Sequence, residues 1–369
     1  MRRLVAALVV LVLGVATAAP RAWAWDWQRD AALPAWMPPP VVPTDNPMTR
    51  EKVALGRHLF YDKRLSADGT LACASCHQQE RAFADPRRVA LGVDGRPGTL
   101  NPPGLANVAY LPVLTWANSG QRLLEQQVLI PLFSQHPVEM GMAGREDGLM
   151  AALAADPAYP AMFRAAFPEA GGAISLGTLT RALAAFQRSI LSFRSPYDRY
   201  RWGGDDSAIT STARRGEKLF FGERLECYHC HGGPNFTDNL IHARLADAEI
   251  GYHDTGVART GGLGEQTGAA AQRGAFRTPS LRNVALTAPY MHDGSMATLD
   301  AVIDHYARGG RARGPHTSSL VRGFRLSPRE RADLIAFLES LTDTALVTDP
   351  RLAPPDGLRG ADTAQGERR

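Results

Sequence analysis

The chain has 369 residues, and 41 basic against 37 acidic side chains give it a formal charge of +4 at neutral pH. That length allows two ordinary domains with cores of their own, and so even a balance excludes a nucleic-acid binder held by bulk charge. The start of the chain is a leader. Met1-Arg2-Arg3, an apolar run over 4–19 and the small-residue end Ala22-Trp23-Ala24 form the charged start, apolar middle and A-x-A cleavage site of a secretory signal over 1–24. The run is shorter than a comfortable membrane span, and no later segment is apolar enough to make one. Cleavage removes Arg2, Arg3 and Arg21 and no acid, so the mature chain is close to neutral.

Residues 25–47 carry Trp25, Trp27 and Trp36 ahead of Pro38-Pro39-Pro40 and Pro43, which predicts an extended arm laid over the surface. An internal repeat follows. The stretches Gly56-Arg57-His58-Leu59-Phe60-Tyr61-Asp62-Lys63-Arg64-Leu65 and Gly216-Glu217-Lys218-Leu219-Phe220-Phe221-Gly222-Glu223-Arg224-Leu225 share the skeleton G-x-x-L-F-[YF]-x-x-R-L. Both read as amphipathic helices. Each leads into a C-x-x-C-H pentapeptide, Cys73-Ala74-Ser75-Cys76-His77 and Cys227-Tyr228-His229-Cys230-His231.

That pentapeptide is the attachment signature of a c-type haem: two thiols add across the haem vinyl groups, and the histidine is held against one face of the iron. These are the only four cysteines, so nothing is left for a disulfide. A single four-cysteine zinc site or a redox dithiol is the competing reading, but neither requires a histidine directly after both pairs.

Further helices are predicted over 122–132, 146–155, 176–193, 299–308 and 328–341, the last capped by Ser327 with Pro328 at its first position. The Gly- and Pro-rich stretches 92–104 and 251–274 read as long loops, and no segment alternates convincingly as a strand. The expected fold is all-α: two cytochrome c-like haem domains over 48–207 and 208–345, related by duplication, with long loops and a tail over 346–369 that is polar from Pro354.

The haem pair, the duplication and the leader together resemble the bacterial dihaem cytochrome c peroxidase and MauG family over about residues 47–341. Further stretches carry the resemblance: Phe60-Tyr61-Asp62-x-Arg64-Leu65-Ser66, Phe276-Arg277-Thr278-Pro279-Ser280-Leu281-Arg282-Asn283-Val284 and Leu286-Thr287-Ala288-Pro289-Tyr290-Met291-His292. Leu132-Phe133-Ser134-Gln135-His136-Pro137-Val138-Glu139-Met140-Gly141 looks closest to a MauG-like subgroup that includes the methanobactin-associated enzyme MbnH.

The resemblance implies two covalent haems, a periplasmic location and hydrogen peroxide as a substrate. His77 and His231 would be the proximal iron ligands. Many relatives block the first haem with a histidine in the loop that here runs from Leu91 to Asn101 without one, so the first haem should be open. Glu139 matches the family's distal glutamate, with Gln127 and Pro131 as its companions, and His136 is a rival proton carrier. Trp116 matches the tryptophan between the haems, although the W-D-G-R of the peroxidases is replaced by Trp116-Ala117-Asn118-Ser119-Gly120. Asn101, Thr287 and Pro289 match a calcium site, whose hard ion suits amide and carbonyl oxygens.

Fourteen positions after His292, where electron-relay peroxidases carry a methionine ligand, stands Tyr306, as in MauG-like proteins. Methionine raises a haem's potential, whereas a phenolate favours ferric and higher states. Tyr306 also falls in the apolar stripe Leu299, Val302, Ile303, and His305, Met291 and Met296 are rival ligands.

The implied function is a peroxide-driven dihaem oxidase that takes both haems beyond ferric and oxidises an aromatic residue of a partner protein, a tryptophan in the MbnH-like form, through surface aromatics such as Trp202. The alternatives are a peroxidase fed by a small c-type cytochrome and a dihaem electron carrier without catalysis.

Overall fold

A computed structural model describes residues 25–358; the expected leader over 1–24 and the last residues of the tail lie outside the described residues. The repeat found in the sequence is also a repeat of packing. Helix Arg50–Tyr61 packs on helix Leu176–Arg188, and helix Ser211–Phe220 packs on helix Pro328–Glu339. Local chemistry starts each one. Thr49 accepts from Lys52 N and Thr210 from Ala213 N. Ser175 with Thr178 and Ser327 with Glu330 form reciprocal capping boxes, and Pro328 occupies the first turn.

Both helix pairs meet at a glycine. A Cβ on Gly56 would run into the carbonyl of Ala182 and the Cβ of Phe186, and one on Gly216 into the carbonyl of Asp333 and the Cβ of Phe337. The close approach lets Phe60 reach Phe186 at 5.1 Å between ring centroids and Phe220 reach Phe337 at 5.0 Å. A third ring completes each cluster, Phe83 at 6.0 Å from Phe60 and Phe236 at 6.3 Å from Phe220. Gly216→Val should therefore cost stability at or above the upper end of the ~1–3 kcal/mol range for overpacked cores. Denaturant unfolding checks this, and a variant within about 0.5 kcal/mol of wild type would show that the helices can separate freely.

Two hydrophobic cores result. The first gathers Leu55, Phe60, Phe83, Leu132, Phe163 and Phe186, and Leu346 and Leu352 near the chain's end pack into it. The second gathers Phe220, Phe236, Ile303, Leu334, Phe337 and Leu341. The seam between them is polar and tied by buried hydrogen bonds. Asn107 exchanges two hydrogen bonds with the Ser192 backbone, Asn283 Nδ2 donates to Ser192 Oγ, and Arg282 grips Asp198 with two 2.8 Å bonds. The N-terminal arm contains a short helix, Trp27–Ala31, and then seats Leu33 and Met37 against Tyr110, Leu191 and Phe193.

The all-α expectation is corrected. The structure is 38% helical and mixed. Strands Tyr252–Asp254 and Ala275–Arg277 pair antiparallel, with Tyr252 opposite Arg277. The first falls at the start of the stretch expected to be loop, and each has three residues, too few to print an alternation of period two. That stretch also holds the helix Leu263–Thr267. Helices were overextended elsewhere: 122–132 is two short helices, Leu124–Gln127 and Leu129–Phe133, and the 176–193 helix stops at Arg188. Among the described residues no helix is long and apolar enough to cross a membrane.

Candidate haem sites

Each C-x-x-C-H is a single tight turn. Residues Cys73–Ser75 and Cys227–His229 form 3-10 turns, and the backbone N–H of His77 and of His231 donates back to the carbonyl of Cys73 and of Cys227, at 3.0 and 2.9 Å. All four cysteines are free of disulfides and partly buried.

The two histidines are held identically. His77 Nδ1 lies 3.1 Å from the carbonyl of Phe83, and His231 Nδ1 lies 3.1 Å from the carbonyl of Phe236. Both phenylalanines adopt left-handed backbone conformations, φ 62° and 51°, which a non-glycine residue holds only when its surroundings enforce it. Desolvation by burial lowers the pKa of both imidazoles, which favours the neutral ring. A carbonyl fixes the proton on Nδ1, and Nε2 then carries the lone pair, the arrangement a metal-binding imidazole needs. The donor set fits an axial haem ligand at both positions. Neither carbonyl is visible as a residue type in the sequence, but a phenylalanine follows each motif histidine by six and by five positions.

Beside the second motif is a cavity of about 380 Å³. Cys227, Cys230, His231 and Tyr306 line it together, and its wall is mainly apolar, as a site for a large planar cofactor requires. The stripe Leu299, Val302, Ile303, Tyr306 is part of this wall, so the apolar helix face and the candidate ligand are one surface. Burial drives the Tyr306 phenol far above its ordinary pKa, with further upward contributions from Cys230 and Cys227. Among the rival ligands, Met291 shares the wall and Met296 is buried. His305 Nε2 is engaged by the carbonyl of Thr255 at 2.9 Å, and its Nδ1 is buried without a partner.

Sequence reasoning missed His253, which lines the same cavity and bonds Asp238 at 2.5 Å. The hydrogen bond to Asp238 holds its imidazole up at about 10.

Near the first motif, Glu139 is partly buried, and desolvation raises its carboxyl above the ordinary glutamate range. The electrostatic influence of Glu139 reaches both Cys73 and Cys76. Its segment is pinned by Val93 N donating to Glu139 O, Ala67 N to Met140 O and Met140 N to Pro131 O. Gln127 presents a buried Oε1 with no protein partner, an acceptor left for a ligand or a water. The rival His136 is exposed.

Trp116 is buried and donates from Nε1 to the carbonyl of Asn101 at 2.7 Å. Asn101 Nδ2 is taken by the carbonyls of Arg87 and Arg88, at 3.3 and 3.1 Å. Asn101, Thr287 and Pro289 all line the cavity with Trp116, and the oxygens they offer are neutral. Trp202 is partly buried and stacks on Trp36 of the arm at 4.2 Å.

Comparison with known proteins gives this site a family. Residues 50–207 match the family described as di-haem cytochrome c peroxidase. The methylamine utilization protein MauG of Methylorubrum extorquens is 38% identical over 317 residues, 84% of each chain. The cytochrome-c peroxidase IdrP1 of Denitromonas iodatirespirans is 34% identical, covering 94% of this chain and 95% of its own. A crystal structure of a MauG-like protein associated with microbial copper homeostasis superposes with a TM-score of 0.85 at 46% identity, covering 90% of this chain and 99% of that one. With matches of that extent and a duplicated pair of haem-binding turns, the chain belongs to the dihaem cytochrome c peroxidase and MauG family of haem-dependent peroxidases and oxidases.

Proposed function

We propose that this protein is an exported, periplasmic MauG-like oxidase that uses hydrogen peroxide to oxidise an aromatic residue, a tryptophan, on a partner protein. The observation that carries the reading is Tyr306 in the wall of the cavity that Cys227, Cys230 and His231 also line. Residues 48–207 would hold one haem through thioethers at Cys73 and Cys76 with His77 as iron ligand. Residues 208–345 would hold the other through Cys227 and Cys230 with His231 and Tyr306. Bound haem supplies an iron that takes up the oxidising equivalents of peroxide.

The protein's own groups do the rest. Glu139 would take a proton from one oxygen of hydrogen peroxide and return it to the other, which would depart as water. Its raised pKa suits it to both halves of that transfer. The unpartnered Gln127 Oε1 accepts a hydrogen bond from the same proton and orients it. Trp116, held by the Asn101 carbonyl, offers a π system between the two sites. A calcium ion at Asn101, Thr287 and Pro289 would fix that carbonyl's segment. Trp202, stacked on Trp36, offers an exit toward the partner.

Mass measurement of the mature protein tests the cofactor reading through the added mass of two haems. Turnover separates the functions. Steady-state peroxide reduction with a reduced small c-type cytochrome should be slow. Brisk turnover with that donor would favour the peroxidase reading.

A further inference from the structure

The two-stranded ribbon places a buried cation that no carboxylate among the described residues pairs directly. Arg277 ends the strand Ala275–Arg277 and is only 2% exposed, yet forms no ion pair with a carboxylate among the described residues. The contrast within the same stretch is direct, because Arg282 is equally buried and is paired bidentately with Asp198. Arg277 makes neutral contacts alone. Its backbone N–H donates to the Trp116 carbonyl at 2.8 Å, Nε to the Thr115 carbonyl at 3.2 Å and Nη1 to the Thr278 carbonyl at 3.2 Å.

A guanidinium has five N–H donors, and these bonds leave Nη2 without a protein acceptor among the described residues. Opposite it in the ribbon stands Tyr252, whose hydroxyl is itself buried and unpartnered. The carboxylate that acts on Arg277, Asp238, ranks behind Tyr252 in its influence and is already held by His253. Burial pulls the Arg277 pKa down to about 10, so the site strains against its own charge. A buried unpaired charge of this kind is costly unless an anion completes it. Arg277 lines the same cavity as Cys227, Cys230, His231 and Tyr306, and its guanidinium carbon lies 5.8 Å from the Trp116 ring centroid.

We propose that Arg277 is the anion-binding residue of this cavity, holding a propionate carboxylate of the haem attached at Cys227 and Cys230 and so fixing the charge beside Trp116. The inference rests on the reading of that cavity as a haem site. A planar guanidinium suits a carboxylate bidentately, which an ammonium does not. The pairing also matters for Trp116. An indole that gives up an electron becomes positive, and a bare guanidinium over its ring opposes that. A carboxylate on the guanidinium cancels the opposition. Arg277 is thus a positioning residue for the haem and an electrostatic governor of the tryptophan between the sites.

The test uses the haem-loaded protein with R277Q and R277K, following haem content by mass and the second haem's reduction by spectroelectrochemistry. With the cation gone, the oxidised haem is favoured. R277Q should retain both haems while its second-haem equilibrium shifts about tenfold toward the ferric form, about 59 mV for a one-electron couple. R277K keeps the charge and should shift less. Loss of the second haem in R277Q with retention in R277K would equally support the anchor. An R277Q protein with two haems and an equilibrium within about twofold of wild type would overturn the proposal. If neither variant keeps the haem, a crystal structure of the loaded wild type decides: propionate oxygens within about 3.2 Å of the guanidinium support it, and a propionate bound elsewhere overturns it. A wild-type chain lacking the second haem overturns the functional reading instead, and that shows as a missing haem mass rather than an unchanged potential.

Discussion

Glu139→Gln should slow the reaction of the ferric protein with hydrogen peroxide by about 10²–10⁴-fold, the usual contribution of a positioned proton carrier. Glutamine keeps the size and polarity of the side chain and removes its ability to carry a proton. Both haems should load as in wild type. The pH profile gives an independent reading. Glu139 accepts the peroxide proton only when ionised, so the wild-type rate should fall on acidification. Its inflection should lie above 4.5, the ordinary glutamate value, because desolvation disfavours the carboxylate. Glu139→Gln should lose that inflection. Stopped-flow mixing across pH checks both expectations. A variant that reacts at the wild-type rate would move the proton role to His136, which is exposed on the same segment.

Tyr306→Met should raise the second haem's reduction potential by a few hundred millivolts, within the ~0.8 V range that axial ligands command. The change exchanges a hard anionic donor for a soft neutral one. The variant should then take electrons readily from a reduced small cytochrome and lose oxidation of the partner. Redox titration and donor turnover measure the two halves separately. An unchanged potential would return the ligand role to Met291, which shares the cavity wall.

What the sequence made legible follows from where the information sits. C-x-x-C-H is local chemistry, so both attachment turns are readable from five letters each. The helix pairs were half readable. The repeated G-x-x-L-F identified Arg50–Tyr61 and Ser211–Phe220, but the reason for each glycine lies in partners more than a hundred residues away, Ala182 and Asp333. A second echo was also present and carries the seam: Leu105-Ala106-Asn107-Val108-Ala109 against Leu281-Arg282-Asn283-Val284-Ala285. Asn107 N donates to Ile190 O and Asn283 N to Leu341 O, in matching places.

The ribbon was not legible, because three-residue strands print no period and their pairing is decided by tertiary contacts. Arg277 was visible within a family-like stretch, but its lack of a counter-charge exists only in three dimensions. The histidine-orienting groups are backbone carbonyls, which any residue type provides. Glu139 was readable through resemblance alone. A carboxylate on a loop is ordinary until its burial is known.

The two sites are proposed to be unequal, one open beside Glu139 and one closed by Tyr306. Electron paramagnetic resonance of the ferric, haem-loaded protein tests it most directly. One high-spin signal from the open first haem and one low-spin signal from the second are expected, with only the low-spin signal changed by Tyr306→Phe. Two low-spin signals with no high-spin component, or a low-spin signal that survives Tyr306→Phe unaltered, would contradict it.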